Sequence, residues 1–479
     1  MCGEKLVLFG IGQRYKDIRE KYASFFQKLN VIAYLDNNEQ LWGNCLDGVP
    51  IMSPLSVQTL TYDKIVLMTA YVKDIKEQLA GLGVSSARIV SWDEFYCADK
   101  HGVFLEYGEK FIPDNQKPKL LLISIKLEYN GGTFAAVYAA AALMMQGYDV
   151  TVAASEGNSE FIQEAVKNHI RIVIIPSIPF LQEEEKAWIG QFDLVIVNVF
   201  QMIRCACSVS QYKPVIWWIH EPGDGYTDYY SVTRDNYPEY DNAAAMRKIN
   251  IVAVSSVAKK NFNDYYRDRI KEILPFGIPD KCCHKRKVIH EKTVFAIVGS
   301  VIPVKAQMIF MDAALMLNED IEGNVEFWII GNRGNSSYEE EVLKKAEGIS
   351  NITFMGVLTQ KQMQEKYEEM DVVVCSSMEE TMSMTVMEGM MHEKICITTD
   401  ATGIADYIED EVNGLVCQAG NAQSLYQKMK WVTDNPVKCD GIRKNARSTY
   451  EQFFTLEKFG QRFQEVIRST MEGKYGEDT

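Results

Sequence analysis

Two glutamates, Glu380 and Glu388, stand eight positions apart in the segment SSMEETMSMTVMEG (376–389), directly after the apolar run DVVVC. A carboxylate accepts hydrogen bonds from neighbouring sugar hydroxyls without having to change its protonation state. Glu380 falls in the predicted turn after a strand, and Glu388 about one turn into the helix that follows, with its side chain leaning back toward the helix start. The spacing therefore suits a ligand that carries two sugars.

The methionines of the same segment have a different meaning. Met384, Met387 and Met391 recur at helical spacing, which predicts the core-facing stripe of a helix that begins near residues 382–384. We therefore expect a structural role for this stripe, with Glu388 lying off it.

A candidate anion site lies in VGSVIPVKAQ (298–307), where a predicted strand leaves through Gly299 and a helix follows Lys305. The N–H groups of a helix N-terminus attract anions, and the lysine adds a full positive charge, so together they would hold a diphosphate. A lone lysine after a strand is otherwise a solvated side chain.

His220 follows an apolar strand in WWIHEP. A histidine in this position is either a structural residue or, at the edge of a cleft, a neutral imidazole. In the second case its ring or its backbone carbonyl would contact a sugar hydroxyl or a developing oxocarbenium ion.

Strands and helices alternate along the chain, which predicts an α/β protein with parallel sheets covered on both faces. The pattern restarts near residues 119 and 294, giving a small Rossmann-like unit followed by two lobes that face a cleft. Ligands bind in such crevices beside strand ends. The predicted boundaries are 1–112 for the accessory domain, 117–283 for the acceptor lobe, 290–452 for the donor lobe and 453–479 for a helix that returns to the acceptor lobe.

The chain from residue 119 to about 470 resembles the retaining family 4 glycosyltransferases, which have the two-lobed GT-B fold. The resemblance lies in the E-x7-E spacing of Glu380 and Glu388 and in motifs that occur in the family's order. These motifs are NGGTFAAVYAAAAL, WWIHEP, VAVSS with ILPFGIPD, VGSVIPVKAQ, WIIGN, FMGVL and DATGIADYIEDEVNGLV. The resemblance implies a hexosyltransferase that uses a nucleoside-diphosphate sugar.

The resemblance also implies residue roles. Glu380 and His220 would act at the reacting sugar, Lys305 would bind the diphosphate and Glu388 the ribose. The other residues that it places at the donor are Gly131, Gly132, Gly299, Ser300, Gly356, Val357, Met382, Ser383 and Met384.

Two departures from the family pattern concern the donor. Ser300 replaces the family's usual arginine, which removes a bidentate phosphate clamp, and ETMS and EGMMHE replace its EGFG and EAMACG runs. No Asp-x-Asp pair is present, and the family is metal-independent, so we expect no metal and no cofactor beyond the donor, for which a UDP-sugar is the first choice. Same-face attack, with the departing phosphate taking the acceptor's proton, requires no side-chain nucleophile.

The first unit contains a glycine turn of its own. Gly10 and Gly12 suit a strand-to-helix turn, and Asp36 ends the next strand, where it would accept from a ribose hydroxyl. The third glycine of the dinucleotide fingerprint is replaced by Tyr15, so a structural or partner-binding turn is the alternative to a nucleotide site. In LFGIG, AYLDNN and LDGVPI this unit resembles the N-terminal domain of bacterial sugar acetyltransferases.

Composition limits the possible partners. A formal net charge of −15 argues against a protein that coats nucleic acid. Eleven cysteines without paired spacing, and an N-terminus without a signal segment, predict a cytoplasmic protein with reduced thiols. The basic stretch KCCHKRKVIHEK (281–292) is either a solvated linker or a membrane-surface contact. Its potential metal ligands lack zinc-site spacing; they are Cys282, Cys283, His284 and His290.

The sequence thus predicts a bacterial enzyme that extends a lipid-linked or polysaccharide glycan, at most at the inner face of the cell membrane. Residues 1–112 would mediate the formation of a homo-oligomer or would bind a partner enzyme. The rival hypothesis is a non-catalytic glycosyltransferase-like subunit that recognises glycan, for which Ser300 is the best sequence support. A dinucleotide oxidoreductase is disfavoured because the third glycine and a matching substrate domain are missing.

Overall fold

The computed structural model describes residues 3–112, 116–223, 225–226, 246–282, 292–321, 324–332 and 336–473. These residues form three separate, mainly parallel sheets with helices packed on them. The predicted α/β class is confirmed. No helix in these described ranges has the length and apolar character needed to cross a membrane.

The first sheet belongs to an N-terminal domain and has the strand order β3-β4-β2-β1-β5-β6, parallel except for β3. Its strands are β1 (Lys5–Phe9), β2 (Asn30–Leu35), β3 (Cys45–Leu46), β4 (Val49–Met52), β5 (Lys64–Leu67) and β6 (Ile89–Ser91). Its helices are α1 (Gln13–Lys21), α2 (Ala23–Phe26), α3 (Val72–Gly81) and α4 (Trp92–Ala98). The sequence predicts one helix across 14–29, but the helix breaks at Tyr22, whose ring packs against Trp92 and Tyr96.

The second sheet, here the first lobe, has the order β14-β13-β12-β11-β8-β9-β10-β7. Its strands are β7 (Leu105–Tyr107), β8 (Lys119–Leu127), β9 (Asp149–Gly157), β10 (Arg171–Ile174), β11 (Leu194–Asn198), β12 (Val215–Ile219), β13 (Ile249–Ala253) and β14 (Glu272–Ile273). Its helices are α5 (Gly131–Met145), α6 (Ser159–Lys167), α7 (Glu183–Ile189), α8 (Ile203–Val209) and α9 (Ser256–Tyr266). The order reverses between β8 and β11, which opens a crevice at their carboxyl ends.

The third sheet, here the second lobe, has the order β17-β16-β15-β18-β19-β20 and is entirely parallel. Its strands are β15 (Thr293–Val298), β16 (Val325–Ile330), β17 (Ile352–Gly356), β18 (Val372–Cys375), β19 (Ile395–Thr399) and β20 (Leu415–Cys417). The helices that follow β15 are α10 (Gln307–Asp320), α11 (Ser337–Ala346), α12 (Gln360–Glu369), α13 (Met384–Met391), α14 (Ala422–Asp434), α15 (Pro436–Phe453) and α16 (Leu456–Met471).

Two contacts tie these units together. Strand β7 pairs antiparallel with β10, so the end of the segment predicted as an accessory domain lies in the sheet of the first lobe. Helix α16 leaves the second lobe and packs on the first, where Phe459 and Phe463 contact the Trp218 ring. At the far end of this helix Asn250 Nδ2 donates to Thr470 Oγ1 at 2.8 Å.

One strand of each lobe is buried along its whole length. Every residue of Val215–Ile219 and of Ile395–Thr399 is buried, as expected where helices cover both faces of a parallel sheet. The charged side chains near the crevice lie in the turns at the carboxyl ends of the strands. Those turns from the two lobes meet at the crevice.

Candidate active site

A cavity of about 270 Å³ lies between the carboxyl ends of the two lobes' sheets. From the first lobe it receives the start of α5 and the turn after β12, and from the second lobe the turns after β15 and β18. Its lining residues are Gly131, Gly132, His220, Pro222, Phe276, Val304, Lys305, Glu379, Glu380, Thr381 and Met382. Six residues predicted from the sequence are thus brought together: Gly131, Gly132, His220, Lys305, Glu380 and Met382.

An ion pair lies in this cavity. Lys305 Nζ is 2.9 Å from Glu380 Oε1, and Glu380 Oε2 accepts from Ser377 Oγ at 2.9 Å and from Cys375 Sγ at 3.2 Å. Burial alone would lower the pKa of Lys305, but the Glu380 carboxylate outweighs burial and raises it. The lysine is therefore a cation at the cavity, held by the Glu380 carboxylate. Ser377 and Cys375 orient that carboxylate.

The start of α5 presents backbone N–H groups to the cavity. Asn130 Oδ1 caps the helix by accepting from Thr133 N at 3.0 Å. A Cβ atom added at Gly131 would meet no atom within 4 Å, so the backbone there faces open space. This arrangement matches the predicted approach of glycine amides to an anion.

A helix follows Lys305, as the sequence predicts, but a 3₁₀ turn that was not predicted precedes it. Residues Pro303–Lys305 form a 3₁₀ turn, and α10 begins only at Gln307. The amide of Met308 donates to the Tyr338 hydroxyl at 3.1 Å. One of the N–H groups predicted to hold phosphate is thus already engaged, and Lys305 supplies the positive charge on this side of the cavity.

Helix α13 begins where the sequence predicts it. Ser383 is its N-cap and accepts from Val386 N at 3.5 Å. Met387 and Met391 are buried and Met384 is partly buried, which confirms the core-facing stripe. Glu388, on another face, accepts from the Tyr367 hydroxyl at 2.7 Å.

Glu388 does not line the cavity that contains Glu380. Burial raises its pKa, although the Tyr367 hydrogen bond and the nearby Lys281 act in the opposite direction. Burial, and then the Glu388 charge, raise the pKa of Tyr138 on α5. Glu388 is thus buried beside Tyr367 of its own lobe and is not paired with Glu380 inside the cavity.

The His220 ring is neutral at the cavity wall. Burial lowers its pKa to about 3, and its Nε2 has no hydrogen-bond partner among the residues that the structure describes. The ring packs edge-on against Trp218, with centroids 4.3 Å apart. Next to it, burial raises the pKa of Glu221 to about 7 despite hydrogen bonds from the amides of Phe200 and His220.

Five of the cavity residues were not predicted from the sequence, and two of them, Glu379 and Thr381, join the lobes. Thr381 Oγ1 donates to the His220 carbonyl at 2.8 Å. Glu379 Oε1 accepts from Gly223 N at 2.6 Å and from Asn261 Nδ2 at 2.7 Å. These residues flank Glu380, so the same turn carries the ion pair and holds the first lobe against it.

The remaining donor residues lie at the neighbouring strand ends of the second lobe, outside the cavity. Gly299 and Ser300 follow β15, and Gly356 and Val357 lie at the end of β17, where Val357 is 71% exposed. Between them Gly331, which was not predicted, has φ +155°, and a Cβ there would lie 1.9 Å from the Gly299 carbonyl oxygen. Only glycine allows these two strand ends to approach so closely.

The glycine turn of the N-terminal domain has another arrangement. Asp36 Oδ2 accepts from Ile11 N at 2.9 Å, and its Oδ1 accepts from Asn38 N at 2.8 Å. Neither Gly10, Gly12 nor Asp36 lines a cavity described here. The Asp36 carboxylate therefore holds the turn itself, which favours the structural alternative over the nucleotide site.

Of the potential metal ligands, Cys283, His284 and His290 lie outside the described residues. The potential ligand atoms of Cys282, Glu368 and His392 lie within 4.8 Å of one another. Lys394 Nζ donates to the Glu368 backbone carbonyl at 3.3 Å, and this positive charge beside the group disfavours a divalent cation.

Residues 283–449 match the family model described as Glycosyl transferases group 1. This match spans less than half of the chain and contains the whole sheet of the second lobe. Residues 2–90 match a second family model, described as C2185-like, N-terminal. The predicted enzyme class, a glycosyltransferase, is confirmed by the first of these matches.

One curated relative is a putative glycosyltransferase, EpsD of Bacillus subtilis (strain 168). It is 26% identical over 149 residues, which are 31% of this chain and 38% of that protein. The chain thus matches less than half of the length of this relative.

Solved structures resemble a larger part of the chain. Anabaena Alr3699/HepE in complex with UDP and glucose has a TM-score of 0.62 at 16% identity, covering 74% of this chain and 100% of that one. The lipopolysaccharide outer core galactosyltransferase WaaB has a TM-score of 0.54 at 16% identity, covering 74% and 99%. At this identity the likeness shows the fold alone, and it confirms the predicted GT-B arrangement of the two lobes.

Proposed function

We propose that this protein is a retaining glycosyltransferase that moves a sugar from a nucleoside-diphosphate sugar to a hydroxyl group of a growing cell-surface glycan. The observation that carries the proposal is the Lys305–Glu380 ion pair, 2.9 Å long, at the cavity that the α5 glycines also line. A cation and open helix amides suit a diphosphate, and a carboxylate beside them suits sugar hydroxyls.

The roles follow from these positions. Lys305 and the amides of Gly131 and Gly132 stabilise the departing diphosphate, whose negative charge grows as the bond to the sugar breaks. Glu380 orients the transferred sugar through its hydroxyls. His220, neutral and buried, places its Nε2 and its Thr381-bound carbonyl beside the reacting carbon.

The reaction balances without a side-chain nucleophile. The bond from the anomeric carbon to the diphosphate oxygen breaks, and the pair of electrons leaves with the diphosphate. The acceptor oxygen attacks from the same face and forms the new glycosidic bond, while its proton passes to a diphosphate oxygen. Lys305 and the helix amides neutralise the leaving charge, and no metal ion or further cofactor takes part.

A UDP-sugar is the proposed donor, and a polysaccharide or a lipid-linked glycan the proposed acceptor, reached at the cytoplasmic face of the membrane. One structural neighbour was crystallised with UDP and glucose, and another is a galactosyltransferase of the lipopolysaccharide outer core. These neighbours share the fold at low identity and support the donor and acceptor classes by analogy.

The test is an incubation of the full chain with a panel of UDP- and GDP-sugars, followed by proton NMR of the products. We expect slow hydrolysis of one donor. Before the free sugar equilibrates between its anomers, it should have the same anomeric configuration as the donor. An inverted product would contradict the retaining mechanism. If the folded chain neither turns over nor binds any donor, the rival non-catalytic subunit is favoured, and the exposed Ser300 in place of the clamp arginine would explain it.

A further inference from the structure

A second cavity, of about 520 Å³, lies between the N-terminal domain and the first lobe. One wall belongs to the N-terminal domain and includes Lys21, Tyr22, Trp92 and Tyr96. The opposite wall is formed by the carboxyl ends of β8, β9 and β10. This is the edge of the parallel sheet at which α/β lobes bind their ligands.

The two walls are held in place by a buried carboxylate. Glu185 of the first lobe accepts from Gly102 N, Ser177 Oγ and Gln182 N at 2.8 to 2.9 Å, and it faces His101 Nδ1 at 3.2 Å. Burial would raise the pKa of Glu185, but these hydrogen bonds outweigh it and lower it, so the anchor stays ionised. With the pairing of β7 and β10, it fixes the domain on the lobe.

The lining combines aromatic faces with a charged edge. The rings of Tyr22 and Tyr96 are 4.6 Å apart, and Tyr107, which also lines the cavity, is 40% exposed. The charged edge is formed by Glu156, which pairs with Lys21 at 2.9 Å and with Lys126 at 2.8 Å. A sugar ring presents C–H groups on its faces and hydroxyls around its edge, so it complements both features.

The cavity adjoins the candidate active site through a single turn. Lys126 lines the second cavity, while Gly131 and Gly132, a few residues on, line the first. Thr133 Oγ1 donates to the Lys126 carbonyl at 3.2 Å, which closes this turn tightly. The chain segment 126–132 therefore contributes residues to both cavities.

We propose that the N-terminal domain and the first lobe together form a saccharide-binding site, in which the acceptor glycan contacts Lys21 and Tyr22 of the N-terminal domain and Tyr107 and Glu156 of the first-lobe sheet. The proposal rests on the glycosyltransferase function proposed above and gives the N-terminal domain a task in it. The domain selects the acceptor, and the first and second lobes bind the donor.

The test compares the full chain with two variants, Tyr107→Ala and Lys21→Ala, on an array of immobilised bacterial oligosaccharides. Tyr71→Ala is the control, because this tyrosine is 71% exposed and does not line the cavity. We expect the wild-type chain to bind a subset of the oligosaccharides. Tyr107→Ala should weaken that binding about tenfold, the value of one aromatic contact, and Tyr71→Ala should leave it unchanged.

UDP titration of the same preparations separates the two proposals. Lost oligosaccharide binding with unchanged UDP affinity in Tyr107→Ala and Lys21→Ala supports the acceptor wall. A wild-type chain that binds UDP but no oligosaccharide, or cavity variants that bind oligosaccharides as the wild type does, overturns it. A wild-type chain that binds oligosaccharides but no UDP contradicts the donor function instead.

Discussion

A glycine turn joins a parallel strand to a helix both in the N-terminal domain and in the first lobe, but only the turn in the first lobe lines the cavity between the two lobes. In the N-terminal domain Asp36 accepts hydrogen bonds from Ile11 N and Asn38 N, so its carboxylate stabilises the turn. In the first lobe Asn130 caps the helix, and the backbone of Gly131 faces an open cavity opposite Lys305.

The two turns differ in the groups that face them, and not in whether a side chain caps their amides. In both turns a polar side chain satisfies backbone N–H groups, as buried amides require. Only the turn of the first lobe faces the second lobe, which brings a cation and a carboxylate to the cavity. A ligand-binding turn thus depends on which groups lie across from it.

The largest effect is expected for Lys305→Ala, which removes the cation from the cavity. We predict a loss of transfer of about 10³-fold, similar to the loss of one preorganised donor at a developing negative charge. The measurement is the rate of UDP release from the preferred donor. Lys361→Ala, an exposed lysine of the same lobe, is the control and should keep wild-type activity; equal rates in both variants would contradict the role of Lys305.

Glu380→Gln keeps the shape of the side chain but removes its charge. We predict about 10²-fold slower transfer, because the amide accepts sugar hydroxyls less strongly and no longer pairs with Lys305. Steady-state kinetics should show the loss in kcat more than in KM for the donor. An unchanged kcat would exclude Glu380 from contact with the transferred sugar.

Glu221 is the buried counterpart of Asp36, since it too accepts from two backbone amides. Its folded-state pKa of about 7 lies above the ordinary 4.5, so the folded chain holds the proton more tightly between these pH values. The free energy of unfolding therefore falls as pH rises from 4.5 to 7. The expected decrease is on the order of 3 kcal/mol.

Glu221→Gln should remove that dependence, because the amide does not titrate. Urea denaturation between pH 4.5 and 8 measures it, and the stability of the variant relative to the wild type should rise with pH. A constant difference between the two proteins would show that the pKa of Glu221 is not raised.

Thr381→Val removes the hydrogen bond to the His220 carbonyl that joins the two lobes. A single hydrogen bond contributes about 1 kcal/mol, so we predict a drop of about fivefold in kcat with the donor affinity kept. Rapid-mixing kinetics would locate the loss in cleft closure. A variant with normal kcat would show that the lobes close without this bond.

Asp36→Asn is expected to leave the transfer activity unchanged and to affect only stability. The amide retains one acceptor oxygen for the two backbone donors, so we predict a loss of about 1 kcal/mol in the free energy of unfolding. Thermal denaturation with and without UDP measures both properties. A reduced UDP affinity in this variant would give the N-terminal turn a role in nucleotide binding.

The sequence is sufficient to predict the three α/β units and much of the cleft. Lys305, Glu380, His220 and Gly131 each follow a strongly apolar strand, and parallel strands place their carboxyl ends on one edge. The start of α13 and its methionine stripe follow from periodicity and from the Ser383 cap. These features depend on residues near one another in the chain.

Other features depend on how distant segments approach. Thr381 and His220 are bonded across the two lobes, and Glu379 binds Gly223 from the other lobe, which no local pattern encodes. The same holds for Glu388, which accepts from the Tyr367 hydroxyl and does not line the cavity. Residue type also does not show that the Asp36 carboxylate accepts hydrogen bonds from Ile11 N and Asn38 N.

The most direct test of the account is an isothermal titration of UDP into three proteins: the wild type, Lys305→Ala and Asp36→Asn. We predict one site in the wild type, the same affinity in Asp36→Asn, and binding too weak to measure in Lys305→Ala. Binding that persists in Lys305→Ala and disappears in Asp36→Asn would contradict the account, because it would place the nucleotide in the N-terminal domain.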